Sequence, residues 1–257
     1  MANAQIFARL AHRNGATRLI EHRQNAPLKI ARTFPDETGG LEICVMDASP
    51  GLLAGDTYET EWVIEAGARA RITNQGATRV HPRKTVSIDS SRQMTRARVA
   101  TDACLTLWPS AIIPFRRADF RSETEVFLAK GAHFSFFECL SAGRVARGEK
   151  FEFDRVQIKT RVCDARGPLF YSRNIFVPSL SILGNPFCFG SATQWANYIV
   201  FGSKVSKNAA AIAQQVLDKH KIHGAASELS RGGIAVMMLG HRAHDLNRAA
   251  SEIDSKW

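Results

Sequence analysis

Three short segments carry side chains whose types and spacing could do chemistry. SPGLLAGD (Ser49–Asp56) follows an alternating apolar run and ends in an acid. Pro50 fixes φ, Gly51 permits a turn, and Gly55 allows a left-handed or close-packed backbone just before Asp56. Two readings are open. Asp56 belongs to an ordinary turn, which aspartate favours, or the backbone holds its carboxylate at the mouth of the next strand. ITNQGATRVHP (72–82) breaks from a strand into polar residues and Gly76, then reaches Thr78, Arg79 and His81. Its hydroxyl and amide groups could line a polar channel or satisfy loop backbone. FFECLSAGRVARGEKFEF (136–153) puts Glu138 in a very aromatic strand, where a lone carboxylate is costly to bury unless paired. Arg144 and Arg147 are candidate partners, and Glu149 follows Gly148 at the start of the next strand. A structural Arg–Glu pair is the commoner outcome in such a segment.

The histidines form a fourth group. His220 and His223 are three apart, as are His241 and His244. Such spacing can place two imidazoles on one helix face, and imidazole suits nickel, zinc or copper. HKIHG spans an expected helix end, however, and a closed site needs four ligands. These histidines are therefore an alternative metal site rather than the leading one. The sequence contains no G-x-x-x-x-G-K-[ST], no G-x-G-x-x-G opening a helix, no G-x-S-x-G and no H-E-x-x-H. With no base–nucleophile pair apparent, nothing in it argues for an enzyme.

The elements that must position these residues are mostly strands. LEICVMD (41–47) alternates Leu41, Ile43 and Val45 on one side. YETEWVIE, ARITN, ACLTLW (103–108), TEVFLA (124–129) and AHFSFFECL (132–140) follow, separated by glycine or Asp/Ser clusters. In EKFEFDRVQIKTRV (149–162) the apolar parity switches from Phe151 and Phe153 to Val156, Ile158 and Val162, which predicts a bulge or bend near Asp154–Arg155. IEAGARARI, ATDACLTL and LAKGAHFSF share one shape: strand end, turn, alanine, alternation. Their alanines, Ala68, Ala103 and Ala132, recur at roughly thirty residues, a spacing that fits stacked β-layers. SKNAAAIAQQVLDKHK (206–221) reads as a helix capped by Ser206 or Asn208, with Ala209, Ile212 and Val216 on one face and Gly224 as its stop. GGIAVMML (232–239) is a buried-strand candidate. RAHDLNRAASEID (242–254) reads as a second helix with Ala243, Leu246, Ala250 and Ile253 on one side. No linker forces a division, so one domain over 1–257 is expected.

The chain has 257 residues, 45% hydrophobic and 23% charged, enough to bury a core without staples. Its net charge is +10, which favours an anionic partner, yet no run of five Lys and Arg occurs. The odd count of five cysteines, far apart and without CxxC, predicts reduced and mostly buried thiols. No apolar run reaches a membrane span. The N-terminus is Arg-rich without an acid before Glu21, which leaves a transit peptide conceivable, but a cytoplasmic location is the expectation.

In this order, the segments resemble the urease accessory protein UreD family, also called UreH. SPGLLAGD is similar to the family's S-P-G-G-hydrophobic-x-G-G-D, and TNQGATRVH to its T-x-Q-A-A-T-K-V-Y. LWPSAIIPFRRADF is similar to L-P-Q-x-x-I-P-F, and AGRVARGEKF to G-R-x-A-x-G-E-x-F, the most distinctive of the four. GGIAVMMLGHRAHDLNRA resembles the family's strand-then-helix ending, so the likeness spans about residues 15–250. Pro50, Gly51, Gly55, Gly143, Arg144, Gly148 and Glu149 are the motif positions. Leu52 and Ala54 stand where glycines are usual, Ser110 where glutamine is, and Ser172 where an acid is often found.

The resemblance implies a mainly β, β-helix-like pair of stacked sheets with two α-helices in the C-terminal third. It implies a non-enzymatic maturation factor that binds apo-urease, the helical protein UreF and, through it, the GTPase UreG. No cofactor would be permanently bound. Nickel would pass transiently through an interior polar passage, with Asp56, Thr78 and Glu138 at the matching positions. The competing expectation is a basic β-solenoid module for an anionic partner such as nucleic acid. It is weakened by the lack of exposed aromatics interleaved with the basic residues.

Overall fold

The computed structural model describes residues 2–83 and 90–257. Its strands are β1 (Asn3–Arg13), β2 (Ala16–Gln24), β3 (Leu28–Pro35), β4 (Leu41–Asp47), β5 (Thr57–Ile64), β6 (Arg69–Asn74), β7 (Thr78–Val80), β8 (Ser91–Val99), β9 (Cys104–Trp108) and β10 (Ile112–Pro114). They continue with β11 (Asp119–Leu128), β12 (His133–Ser141), β13 (Arg155–Asp164), β14 (Gly167–Phe176), β15 (Gln194–Phe201), β16 (His223–Glu228) and β17 (Ile234–Gly240). Helix α1 (Ala209–Lys219) precedes β16, and α2 (Ala243–Asp254) follows β17.

The chain winds between two sheets. The first has the order β14-β13-β11-β8-β5-β1-β2 and is parallel from β1 through β13. The second has the order β16-β17-β15-β12-β9-β6-β4-β3, with β4, β6, β9 and β12 parallel. The short strands β7 and β10 pair with each other and join this sheet through Ile112↔Leu140. Stacked, mainly β layers with two late helices are thus what the molecule has.

The alanine repeat explains the winding. Ala68, Ala103 and Ala132 each end a tight turn from the first sheet to the second, and each N–H donates three residues back, at 3.0, 3.2 and 3.2 Å. The residue before each alanine is left-handed: Gly67 (φ 69°), Asp102 (φ 54°) and Gly131 (φ 76°). Successive turns stack, since Cys104 N–H donates to Ala68 O and His133 N–H to Ala103 O, both at 2.8 Å. The alanines are buried, so a larger side chain would spread the stack. A fourth turn of the same form, Phe115–Ala118, has Arg117 at φ 61°.

Two cores result. Between the sheets lie Ile43, Trp62, Ile64, Leu105, Phe120 and Phe134. The outer face of the second sheet, with Phe137, Tyr198, Val236 and Met238, is covered by Ala213, Val216 and Leu217 of α1 and by Leu246, Ala250 and Ile253 of α2.

Several expectations are refined. The parity switch is a bend: residues 151–154 lie outside any strand, and the N–H groups of Asp154 and Arg155 both donate to Ala118 O, at 2.9 and 3.1 Å. β17 buries one face only, with Met237 exposed on the other. Neither Ser206 nor Asn208 caps α1 through its side chain. Gly224 does not stop that helix; it lies in β16. The stop is Lys221, left-handed at φ 55°. Its N–H donates to Asp218 O at 3.0 Å, and Ile222 N–H donates to Leu217 O at 2.9 Å. All five cysteines are free, but only Cys139 is buried and Cys188 is exposed, so the expectation of mostly buried thiols fails. No helix among the described residues is long and apolar enough to cross a membrane.

Candidate functional site

A pocket of about 430 Å³ opens between the sheets. One wall comes from the first sheet, whose inward residues stand side by side in register. Thr60, Thr95, Thr124 and Thr160 form one row across β5, β8, β11 and β13, and Ser172 of β14 continues it; the first three line the pocket, while Thr160 and Ser172 lie beyond it. Tyr58, Gln93 and Ser122 form the adjacent row. Thr60 Oγ1 donates to Thr95 Oγ1 at 3.1 Å. The facing wall, from the second sheet, is apolar: Val45, Ile72, Leu107 and Phe136. Asp47 and Asn74 at the ends of β4 and β6, residues 75–77, Thr78 and Arg79 of β7, and Pro109 and Ser110 add to the lining.

Glu138 is the carboxylate of this space. It points inward from β12 and is buried. Its Oε1 accepts from Thr160 Oγ1 and Asn197 Nδ2, both at 3.4 Å. Burial pushes its carboxyl up to about 7, and these two hydrogen bonds offset only part of the shift. Neither Arg144 nor Arg147 is its partner, contrary to one reading of the segment. Arg144 forms a two-pronged pair with Glu149, Nε donating to Oε2 at 2.8 Å, and lies 4.3 Å over the Phe115 ring. That hydrogen bond holds the Glu149 carboxyl below its ordinary value. Gly143, at φ 138°, has no room for a side chain, because a Cβ would stand 2.8 Å from Glu149 O. Gly148 closes the turn at φ 82°. The AGRVARGEKF segment is thus a structural clamp on the turn that begins at Phe115.

Thr78 and Glu138 both line the pocket; Asp56 does not. The Asp56 carboxylate is buried against backbone, accepting from Ala2 N–H at 2.6 Å and Leu53 N–H at 2.9 Å. Of the two readings of SPGLLAGD, the local geometry is that of the turn. Gly51 is required there, since a Cβ would collide with the Arg79 carbonyl, and Gly55 is left-handed at φ 84°. Pro50 O lies 3.1 Å from His81 Nε2. Sequence reasoning overlooked Asp47, the threonine row and Asn197. Asn197 is 59 positions from Glu138 and meets it only through β12–β15 pairing.

The histidines fall elsewhere. His220, His223 and His241 line a second hollow, whereas His244 does not. His220 Nε2 is 2.7 Å from Glu252 Oε2, and Lys219 Nζ donates to the same carboxylate at 2.7 Å; together they hold Glu252 down to about 2. No three His, Cys, Asp or Glu side chains converge as a metal-holding group among the described residues.

The sequence model of the family described as "UreD urease accessory protein" matches residues 2–255. The chain belongs to the UreD family. It is 27% identical over 220 residues to the urease accessory protein UreH of Helicobacter pylori (strain G27), covering 86% of this chain and 81% of that protein. It is 29% identical over 204 residues to the urease accessory protein UreD of Acetivibrio thermocellus, with 79% and 77% coverage. Three of the family motifs named above meet at the pocket of this UreD-family chain: Leu52, residues 74–79 and the Pro109–Ser110 pair line it, whereas no residue of AGRVARGEKF does. Leu52, in place of a glycine, is buried and bridges Val80. Ala54 is half-buried in the same turn. Ser172 ends the hydroxyl row, and its buried Oγ has no hydrogen-bond partner.

Proposed function

We propose that this UreD-family chain serves urease maturation as a non-catalytic scaffold that conducts Ni²⁺ through the intersheet pocket toward apo-urease, working with UreF and UreG. The observation that carries the reading is the asymmetric pocket, hydroxyl-rich on one wall and apolar on the other, with Glu138 buried in its lining. Neutral oxygens and two carboxylates, Asp47 and the buried Glu138, suit a divalent ion that must be let go again, since hard oxygen donors bind nickel less tightly than nitrogen or thiolate sets. Transfer needs weak, repeated contacts rather than one tight cage. A carboxyl poised near neutrality can exchange its proton for the passing cation. Asp47, Thr78, Glu138 and the threonine row are the residues we assign to this path, and Asp56 supports it by fixing the turn beside Leu52.

Replacing Thr78 and Glu138 together by leucine tests the path. Expected is urease carrying about tenfold less nickel in cells, while the variant still co-purifies with urease. Urease with its normal nickel content would reject the path and leave the scaffold role standing. The nucleic-acid reading finds less support. On the outer face of the first sheet, the rung Glu61, Arg96, Glu125 and Arg161 alternates in sign across four strands, so Arg96 is flanked by acids on both sides.

A further inference from the structure

The 177–193 loop crosses from β14 to β15 and shows three large apolar side chains to solvent. Leu180 is 84% exposed, Ile182 79% and Phe187 97%. The loop is nonetheless anchored. Leu183 and Phe189 are buried, and the Phe189 ring lies 4.9 Å from Phe151 and 5.9 Å from Phe176. Phe189 N–H donates to Leu183 O at 3.0 Å, and Gly190 N–H to Asn185 O at 2.9 Å. A segment fixed at its base with its largest apolar groups turned outward marks an interaction surface.

The same loop forms one side of the second hollow, of about 620 Å³. The other side includes two cations, Lys221 and Arg248, three histidines, His220, His223 and His241, and one acid, Asp245, with Ile222 and Leu239 between them. Lys221 holds the left-handed position that ends α1, where glycine is the usual residue, so a cation is kept on this rim at a backbone cost. Basic lining beside exposed apolar groups is complementary to one kind of occupant.

We infer that this hollow and the adjoining 177–193 loop are a docking surface for a protein of the urease assembly that presents an acidic segment bearing large apolar side chains. The inference rests on the maturation reading, and it assigns the contact to this face rather than to the charge-alternating outer face of the first sheet. Apolar anchors would supply the stable contact, while Lys221 and Arg248 would set its orientation and capture rate.

The test is recovery of urease and its accessory proteins with the tagged full-length chain from its own host, after nuclease treatment. Two variants are compared with wild type: Leu180→Ser/Ile182→Ser/Phe187→Ser and Lys221→Glu/Arg248→Glu. A control, Arg96→Glu, lies on the first sheet. The expected result is about a tenfold or greater loss of one named partner in both variants, none in the control, and a charge-dependent part that weakens with salt. A benzophenone side chain at position 187 should crosslink to an Asp- and Glu-rich peptide of that partner. Undiminished recovery in both variants overturns the docking surface. So do crosslinks confined to a second copy of this chain, or a partner lost on nuclease treatment. If wild type recovers no urease protein at all, the maturation reading itself falls and this inference falls with it.

Discussion

The intersheet pocket and the C-terminal hollow are of similar size but opposite design. The pocket is built from regular strands, so its polar groups repeat at fixed spacing and its one buried carboxylate is held by two neighbours. The hollow is built from a loop, a helix end and a strand edge, so its charges point outward beside exposed apolar groups. Repetition with weak neutral donors suits a small ion in transit. An irregular rim with strong charges suits a macromolecule that must be recognised once. On the readings proposed above, cargo would travel in the interior and a partner would dock where the winding stops.

Substitutions can break that contrast. The largest effect is expected for Trp62→Ala. Trp62 is fully buried and backs the pocket, so urea unfolding should show a loss of about 3–5 kcal/mol. Next is the pH response of Glu138. Its carboxyl, near 7 when folded against an ordinary 4.5, keeps a proton that the unfolded chain releases. Stability therefore falls as pH rises from about 4.5 to about 7, by on the order of 3 kcal/mol. Glu138→Gln should flatten that slope, with an advantage over wild type above pH 7 that shrinks toward pH 4.5. A wild-type chain equally stable at pH 5 and pH 8 would contradict the assignment. Thr124→Val keeps the shape of one rung and removes its hydroxyl. Unfolding should move by about 1 kcal/mol, the net worth of one hydroxyl's hydrogen bonding, while nickel delivery drops if the row carries the ion. The smallest effect belongs to the other region: Phe187→Ser should leave stability within about 0.5 kcal/mol, because that ring is 97% exposed.

The legibility of the sequence followed the same division. LEICVMD coincides with β4 because its inward residues are apolar and its outward ones are not. The turn alanines were readable because burial at a tight turn admits little else. SRQMTRARV, which is β8, escaped notice. Its inward residues Gln93 and Thr95 are as polar as its outward arginines, so alternation is blurred where the strand forms the pocket wall. The polar inward face that forms the pocket wall thus hides the strand that carries it. Asp56 was visible as an acid after a glycine, but its backbone partner Ala2 is 54 positions away and no local pattern points there. The histidine spacings suggested pairs by position, whereas the fold gathers His220, His223 and His241 and leaves His244 apart.

The hydroxyl row has a consequence for how such a molecule can change length. Each coil of the winding adds one rung, and adjacent strands lie about 4.8 Å apart, so the four threonines from Thr60 to Thr160 reach about 14 Å. Gaining or losing a coil would lengthen or shorten the row in whole steps, without altering the chemistry of any remaining step.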